Sequence, residues 1–250
     1  MSVLQHSVKT FDQDLQRLDA LIQEIGELAA AQLGSALDAF IHRDVALAIW
    51  VTERDSEVDR LEREICRVAL RIVALRQPAG CDLRYAFSAY KSATAFERIG
   101  DYAANIAKRF CVLRQEPGLD LTGSMLLMGR RAEAMIRTIT EAFIDRDAAK
   151  ALAVWRSDEE LDVLHNALFR ELLSYMVEDA RHIPLCTHLL FIGKNLERIG
   201  DHATNIAEAL HFLVHGTPLA KARAKRDRVS QIAAPALEAI EPAVLPRDAC

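Results

Sequence analysis

One eleven-residue segment occurs twice in this chain, and the repetition constrains the fold more than any other feature. Residues 97–107 and 197–207 share the pattern E-R-I-G-D-x-A-x-N-I-A, with nine of eleven positions identical. Because an α-helix turns every ~3.6 residues, Glu97, Asp101 and Asn105 fall on one face of a helix. Their equivalents in the second copy are Glu197, Asp201 and Asn205. The sequence therefore predicts a duplication that carries the same acidic helical face twice.

A second internal match sets the length of the repeat. The pattern A-F-I-x-R-D occurs at residues 39–44 and again at 142–147. Apolar residues spaced three and four apart predict long amphipathic helices, and no segment keeps the alternation of a β-strand. We therefore predict an all-α fold of two tandem three-helix bundles with six long antiparallel helices. The predicted helices span residues 6–41, 45–76, 82–113, 120–144, 148–179 and 185–214.

The predicted domains follow from these matches. Residues 1–115 form the first repeat and residues 116–215 the second. From 216 to 250 the apolar periodicity gives way to Ala, Pro and basic residues, which predicts a disordered tail. Three prolines before residue 215 are each expected to interrupt a helix; they are Pro78, Pro117 and Pro184.

The composition argues against several classes of partner. The net charge is −5 and the pI is near 5.9, so a surface that attracts nucleic acid or anionic lipid is not expected. No stretch is long and apolar enough to predict insertion into a membrane. The five cysteines show no C-x-x-C spacing, which indicates reduced thiols. We expect a cytoplasmic protein; whether it forms a homodimer stays open.

A second kind of acidic pair accompanies the repeated motif. Asp55 and Asp59 lie one helical turn apart in the second predicted helix. Asp158 and Asp162 repeat this pair 103 positions later. All the acidic pairs are predicted to face outward, away from the apolar side of each helix. Each half of the chain would then present two pairs of carboxylates on neighbouring helices.

Such carboxylates permit two interpretations. Oxygen ligands from two helices could bind hard or borderline metal ions such as Mg²⁺, Mn²⁺, iron or Zn²⁺, and Asn105 or Asn205 could add a carbonyl ligand. The alternative is an ordinary charged surface on which Arg98 or Arg54 pairs with the carboxylates. Retention of the same residues in both halves favours a binding role, to metal or to a partner.

Other motifs give little support for catalysis. The chain contains no phosphate-binding glycine loop, H-E-x-x-H or G-x-S-x-G motif. His165 follows Asp162 at i+3, but this pair is expected near the surface, and a di-iron centre needs two inward Glu-x-x-His motifs. Gly100 and Gly200 are predicted to permit close helix contact rather than chemistry. We do not predict an enzyme.

The repeated motifs, with the opening H-S-V-K-T-F-D-Q-D-L at residues 6–15 and E-I-G-E-L-A at 24–29, resemble the PhoU family. The resemblance covers about residues 6–215 and implies a pair of similar three-helix bundles. It also implies polynuclear metal sites at the E/D-x-x-x-D motifs. Those motifs map onto Asp55, Asp59, Glu97, Asp101, Asp158, Asp162, Glu197 and Asp201.

The function implied by the resemblance is regulatory. The resemblance implies a cytoplasmic negative regulator of the phosphate-starvation response. Such a protein would link the ATPase of a Pst-type phosphate ABC transporter to a PhoR-type sensor histidine kinase and modulate phosphate uptake. Two alternatives stay open: a carboxylate-bridged polynuclear metalloenzyme, and an accessory protein of a different phosphate transporter.

Overall fold

Six long helices, the second of them divided in two, make up the described part of the chain. The structure is a computed structural model that describes residues 2–113 and 122–219, with side chains for 11–113 and 123–219. The first repeat contains α1 (Ser2–His42), α2 (Val45–Glu53), α3 (Asp55–Arg76) and α4 (Cys81–Leu113). The second contains α5 (Thr122–Asp145), α6 (Ala148–Glu178) and α7 (Ile183–His215), with a 3₁₀ turn at Ala180–His182. The all-α prediction is confirmed, and these described residues include no strand.

The break in the second helix is a local correction to the predicted helix at 45–76. Only Arg54 separates α2 from α3. The amide of Glu57 donates to the carbonyl of Arg54 at 2.9 Å, an i→i+3 bond that tightens this turn. The guanidinium of Arg54 lies over the ring of Trp50 and pairs with Glu57. The second repeat has Ser157 at the equivalent position, and α6 continues through it.

The repeated A-F-I-x-R-D pattern forms the same helix connection in both halves. Arg43 and Arg146 adopt left-handed conformations with φ of 53° and 56°, which end α1 and α5. The following aspartates then cap the next helix. Asp44 accepts one hydrogen bond from a first-turn amide of α2, and Asp147 accepts two from α6. This match therefore encodes a turn and a cap.

The two repeats pack against each other through antiparallel helix pairs, α1 with α5 and α4 with α7. Along α4 and α7, Ser88 donates to the carbonyl of Ala209 at 3.0 Å and Phe87 contacts the ring of Phe212. The apolar faces of all six long helices meet in one continuous core. The duplicated helices are thus related by an approximate twofold axis between the repeats.

Of the three prolines expected to interrupt helices, the two in the described residues lie between helices or at the start of one. Pro78 lies in the loop between α3 and α4, as expected, but Pro184 occupies the first turn of α7, where a missing amide costs nothing. Pro117 lies outside the described residues, as do residues 220–250 of the predicted tail. Among the described helices, none combines the length and apolarity needed to cross a membrane.

Candidate functional site

The repeated glycines lie where the second and third helices of each repeat pack closely. A Cβ added to Gly100 would come within 3.2 Å of Val58. One added to Gly200 would overlap Leu161 and come within 2.7 Å of the carboxylate of Asp158. The predicted packing role of both glycines is confirmed. Because the backbones are so close, the acidic residues of the two helices are held side by side.

In the first repeat this contact brings five carboxylates together, which we call the first acidic set: Asp55, Asp59 and Glu62 on α3, and Glu97 and Asp101 on α4. The charges of Asp101 and Asp59 act on Asp55, and those of Asp101, Asp59 and Glu62 act on Glu97. Glu62 was missed by the sequence reasoning. Its position at i+7 from Asp55 places it on the same face, so an extended helical pattern would have found it.

The electrostatics of the first acidic set are dominated by partial burial and mutual repulsion. Burial raises the pKa of Glu97, and the charge of Asp101 raises it further, against the opposing effect of Arg98. Burial likewise raises the pKa of Asp55, followed by the charge of Asp101. Arg98 bridges Glu97 and Asp101 at 3.4 and 3.2 Å, but its side chain is 54% exposed. The set therefore retains excess negative charge.

The second repeat has an equivalent group, which we call the second acidic set: Asp158, Asp162 and His165 on α6, and Glu197 and Asp201 on α7. The predicted outward orientation is wrong for three of its carboxylates. Asp158, Asp162 and Glu197 are only 1–3% exposed. His165, expected near the surface, is also buried, and it lies against Gly193 of α7. The close packing of α6 on α7 covers these residues, and single-helix periodicity does not reveal that.

The two sets also differ in charge. His165 occupies the position of Glu62, and Lys194 occupies the position of Thr94. The ammonium of Lys194 lies 2.9 Å from Glu197 Oε2, so the second acidic set contains its own cation. Sequence reasoning missed Lys194, although comparing the halves at an offset of 100 would have identified it. The duplication has therefore produced an open acidic face and a covered one in which Lys194 pairs with Glu197.

The ends of the repeated motifs meet between the repeats. The ring centroids of Tyr102 and His202 are 5.6 Å apart, and the guanidinium of Arg198 donates to the Tyr102 hydroxyl at 3.3 Å. Burial lowers the pKa of His202. The two copies of the motif differ at the position directly after the aspartate, Tyr102 in one and His202 in the other, and these two residues contact each other.

The donor groups of the two acidic sets differ in how well they suit a metal ion. The five carboxylates of the first acidic set suit a hard cation, which would relieve their repulsion. Within the described side chains, however, no group of three or more His, Cys, Asp or Glu converges on one position, so binding requires side-chain rotation. The second acidic set fits less well, because Lys194 engages an oxygen of Glu197. Asn105 and Asn205 are exposed, about 12 Å along each helix from Glu97 and Glu197.

Concave surfaces lie elsewhere. A groove of about 580 Å³ runs between α1 and α5, where Gly26 faces Thr140 and where Arg137 and Glu141 line the wall. A second groove, of about 460 Å³, lies between α5 and α6 beside Arg131. Neither groove is lined by a member of either acidic set. The metalloenzyme alternative needs a cavity at the carboxylates, and these two grooves do not supply it.

Comparison with known proteins gives the family. The PhoU domain model matches the chain twice, at residues 22–110 and 125–210. The chain belongs to the PhoU family. The two matched segments lie within the two three-helix groups, and each contains one acidic set.

Curated relatives and a solved structure of the PhoU family align with most of this chain. A phosphate-specific transport system accessory protein PhoU homolog of Caulobacter vibrioides is 44% identical over 228 residues, covering 91% of this chain and 99% of the relative. A homolog of the same name from Zymomonas mobilis is 47% identical, covering 86% and 91%. The crystal structure of PhoU from Pseudomonas aeruginosa has a TM-score of 0.80 at 36% identity, covering 83% of this chain and all of that one.

Proposed function

We propose that this protein is a cytoplasmic accessory protein of a phosphate transport system and a negative regulator of the phosphate-starvation response. The observation that carries the proposal is the double PhoU match together with relatives named phosphate-specific transport system accessory proteins, matched almost end to end. In this role the protein binds the ATPase of a phosphate ABC transporter and a sensor histidine kinase. It keeps the phosphate-starvation genes repressed through the kinase when phosphate is plentiful, and it adjusts phosphate uptake.

The arrangement of the acidic residues suits an adapter. Relatives are named as accessory proteins, and the two grooves described above contain no acidic-set residue. The first acidic set offers a half-exposed, negatively charged surface on two packed helices. Charged surfaces of this kind steer association with basic partners and set its orientation. Binding by such a surface needs no catalytic group.

The regulatory role is tested by deleting the gene and measuring phosphatase expression at high phosphate. We expect expression to become constitutive and to be silenced again by the wild-type gene. A deletion strain with normally repressed phosphatase would contradict negative regulation. If phosphatase stays repressed while phosphate uptake changes, the protein serves a transporter without the kinase, which is the alternative accessory role.

Partner binding is tested separately with purified components. The full chain should retain both the transporter ATPase and the kinase in a pull-down. Substituting Glu97→Gln with Asp101→Asn removes two charges without changing side-chain size and should weaken at least one of these interactions. The matched substitution Glu53→Gln, at an exposed glutamate outside the set, should leave both unchanged. Failure of the wild type to bind either partner would refute the adapter role.

We further propose that the first acidic set binds Mn²⁺, Mg²⁺, iron or Zn²⁺ as part of this role. The support is the donor chemistry of its five carboxylates, together with the burial and mutual repulsion that raise the pKa of Asp55 and of Glu97 despite nearby cations. Metal content of protein purified without a histidine tag gives the test. Glu97→Ala/Asp101→Ala should lose the metal, whereas Glu197→Ala/Asp201→Ala should lose little. Background metal in folded wild-type protein would leave the first acidic set as a docking surface alone.

A further inference from the structure

The last two turns of α7 carry a histidine pair that the regulatory role does not use. His211 and His215 are one helical turn apart, and their ring centroids are 4.5 Å from each other. The i, i+4 spacing on a helix is the one at which two imidazoles reach a single metal ion. His211 is ten residues beyond Asp201, or roughly 15 Å along the helix axis. This pair is therefore separate from both acidic sets.

The hydrogen bonding of His211 prepares one ring nitrogen as a ligand. Its Nδ1 lies 3.1 Å from the carbonyl oxygen of Thr217. A carbonyl only accepts, so in the neutral imidazole Nδ1 carries the proton and Nε2 keeps its lone pair. Metal-binding histidines commonly donate their second N–H to a backbone carbonyl in this way. Gly216, with φ of 74°, turns the chain so that the carbonyl of Thr217 faces the ring.

The ring separation allows both imidazoles to reach one ion. With a metal–nitrogen bond of about 2.0 Å and a nitrogen roughly 1.1 Å from its ring centroid, two imidazoles on one ion place their centroids about 4.4 Å apart at 90° and about 5.1 Å apart at a tetrahedral angle. The observed centroid distance is 4.5 Å. Imidazole nitrogens suit late first-row metals, among which Ni²⁺ and Cu²⁺ bind such ligands most strongly.

We propose that His211 and His215 bind one divalent late transition-metal ion, Cu²⁺ or Ni²⁺, with water in the remaining positions. The carbonyl groups at the end of α7 favour a cation there. Arg84 opposes it, because its guanidinium donates to the carbonyl of Leu213 at 3.2 Å and lies beside Gly216. Two protein ligands and a nearby positive charge make this an exchangeable site.

The test is a titration of the full chain, without a histidine tag, with Ni²⁺ in a calorimeter. We expect one ion per chain at this site, and His211→Gln or His215→Gln should each weaken binding about tenfold or more by removing the chelate. His42→Gln is the matched control, since His42 is also an exposed histidine in the last turn of a helix. Glu97→Gln/Asp101→Asn should keep this one site, so any Ni²⁺ bound by the first acidic set is counted separately from it.

Electron paramagnetic resonance of the Cu²⁺ complex counts the nitrogen ligands directly. The wild type should show coupling to two imidazole nitrogens, and each single variant should lose one of them. Equal Ni²⁺ affinity in the wild type and the double variant would overturn the proposal. Loss in only one of the two single variants would also overturn it, because the ion would then be held by one imidazole.

Discussion

Substituting alanine for Gly200 and for Gly100 compares the same motif position in its two structural contexts. An alanine Cβ at 200 overlaps Leu161 and lies 2.7 Å from Asp158 Oδ1, and both side chains are buried. At 100 the nearest atoms are 3.1 Å away on Gln32 and 3.2 Å away on Val58, so shifts of a few tenths of an ångström suffice. The two substitutions should therefore differ in cost.

The expected magnitudes come from two opposing effects. Alanine in a helix gains about 1 kcal/mol over glycine, and overpacking a buried contact costs about 1–3 kcal/mol. Because the Cβ at 200 would overlap the side chain of Leu161, the overpacking cost there belongs to the upper part of that range, about 2–3 kcal/mol. Gly200→Ala should therefore lose roughly 1–2 kcal/mol of unfolding free energy, whereas Gly100→Ala should be about neutral. For a chain of this size the difference corresponds to a Tm gap of roughly 2–8 °C.

Urea unfolding followed by far-UV circular dichroism measures both variants, and a double-mutant cycle identifies the clash. In a Leu161→Ala background the added methyl group enters the space that the leucine vacated. Gly200→Ala should then cost less than in the wild-type background, with the contact to Asp158 Oδ1 accounting for what remains. Equal losses for the two glycine variants would refute the reasoning, as would an unchanged cost of Gly200→Ala without the leucine side chain.

Three further predictions concern Lys194, Glu97 and the two helix caps. Lys194→Thr, which installs the residue of the first repeat, should lower the free energy of unfolding in urea by about 1–2 kcal/mol, because Glu197 is buried while Lys194 is 39% exposed. Arg98→Thr, at an exposed ion pair, should lower it by almost nothing, and equal losses for the two variants would contradict this prediction. The pKa of Glu97 is raised above its ordinary 4.5, so the folded chain binds this proton more tightly than the unfolded chain, and stability falls as the pH rises from 4.5 through the raised pKa. In metal-free buffer Glu97→Gln should therefore stabilise the protein at neutral pH and lose that gain below about pH 4, and a gain that grows on acidification would have the wrong sign. Asp147→Ala removes a helix cap that accepts two hydrogen bonds, and Asp44→Ala removes one that accepts a single bond. Thermal unfolding should therefore show a stability loss of about 1 kcal/mol for Asp147→Ala and a smaller loss for Asp44→Ala. The reverse order would contradict the cap geometry.

The sequence by itself determined the helical class, the duplication and the residues of each acidic pair. Those are properties of one helix or of the match between two segments, and a 3.6-residue period reports them without knowledge of packing. The same local logic identified Gly100 and Gly200 as contact points, since glycine inside a helix is costly unless something must approach it.

Tertiary structure decided which of the two acidic faces meets solvent. Packing of α6 on α7 buries Asp158, Asp162 and Glu197, while the equivalent residues of α3 and α4 stay half-exposed. The contact of Tyr102 with His202 likewise depends on the packing of two helices that are distant in the chain. Burial depends on neighbours distant in the chain, so nearly identical motifs acquired different chemical surroundings.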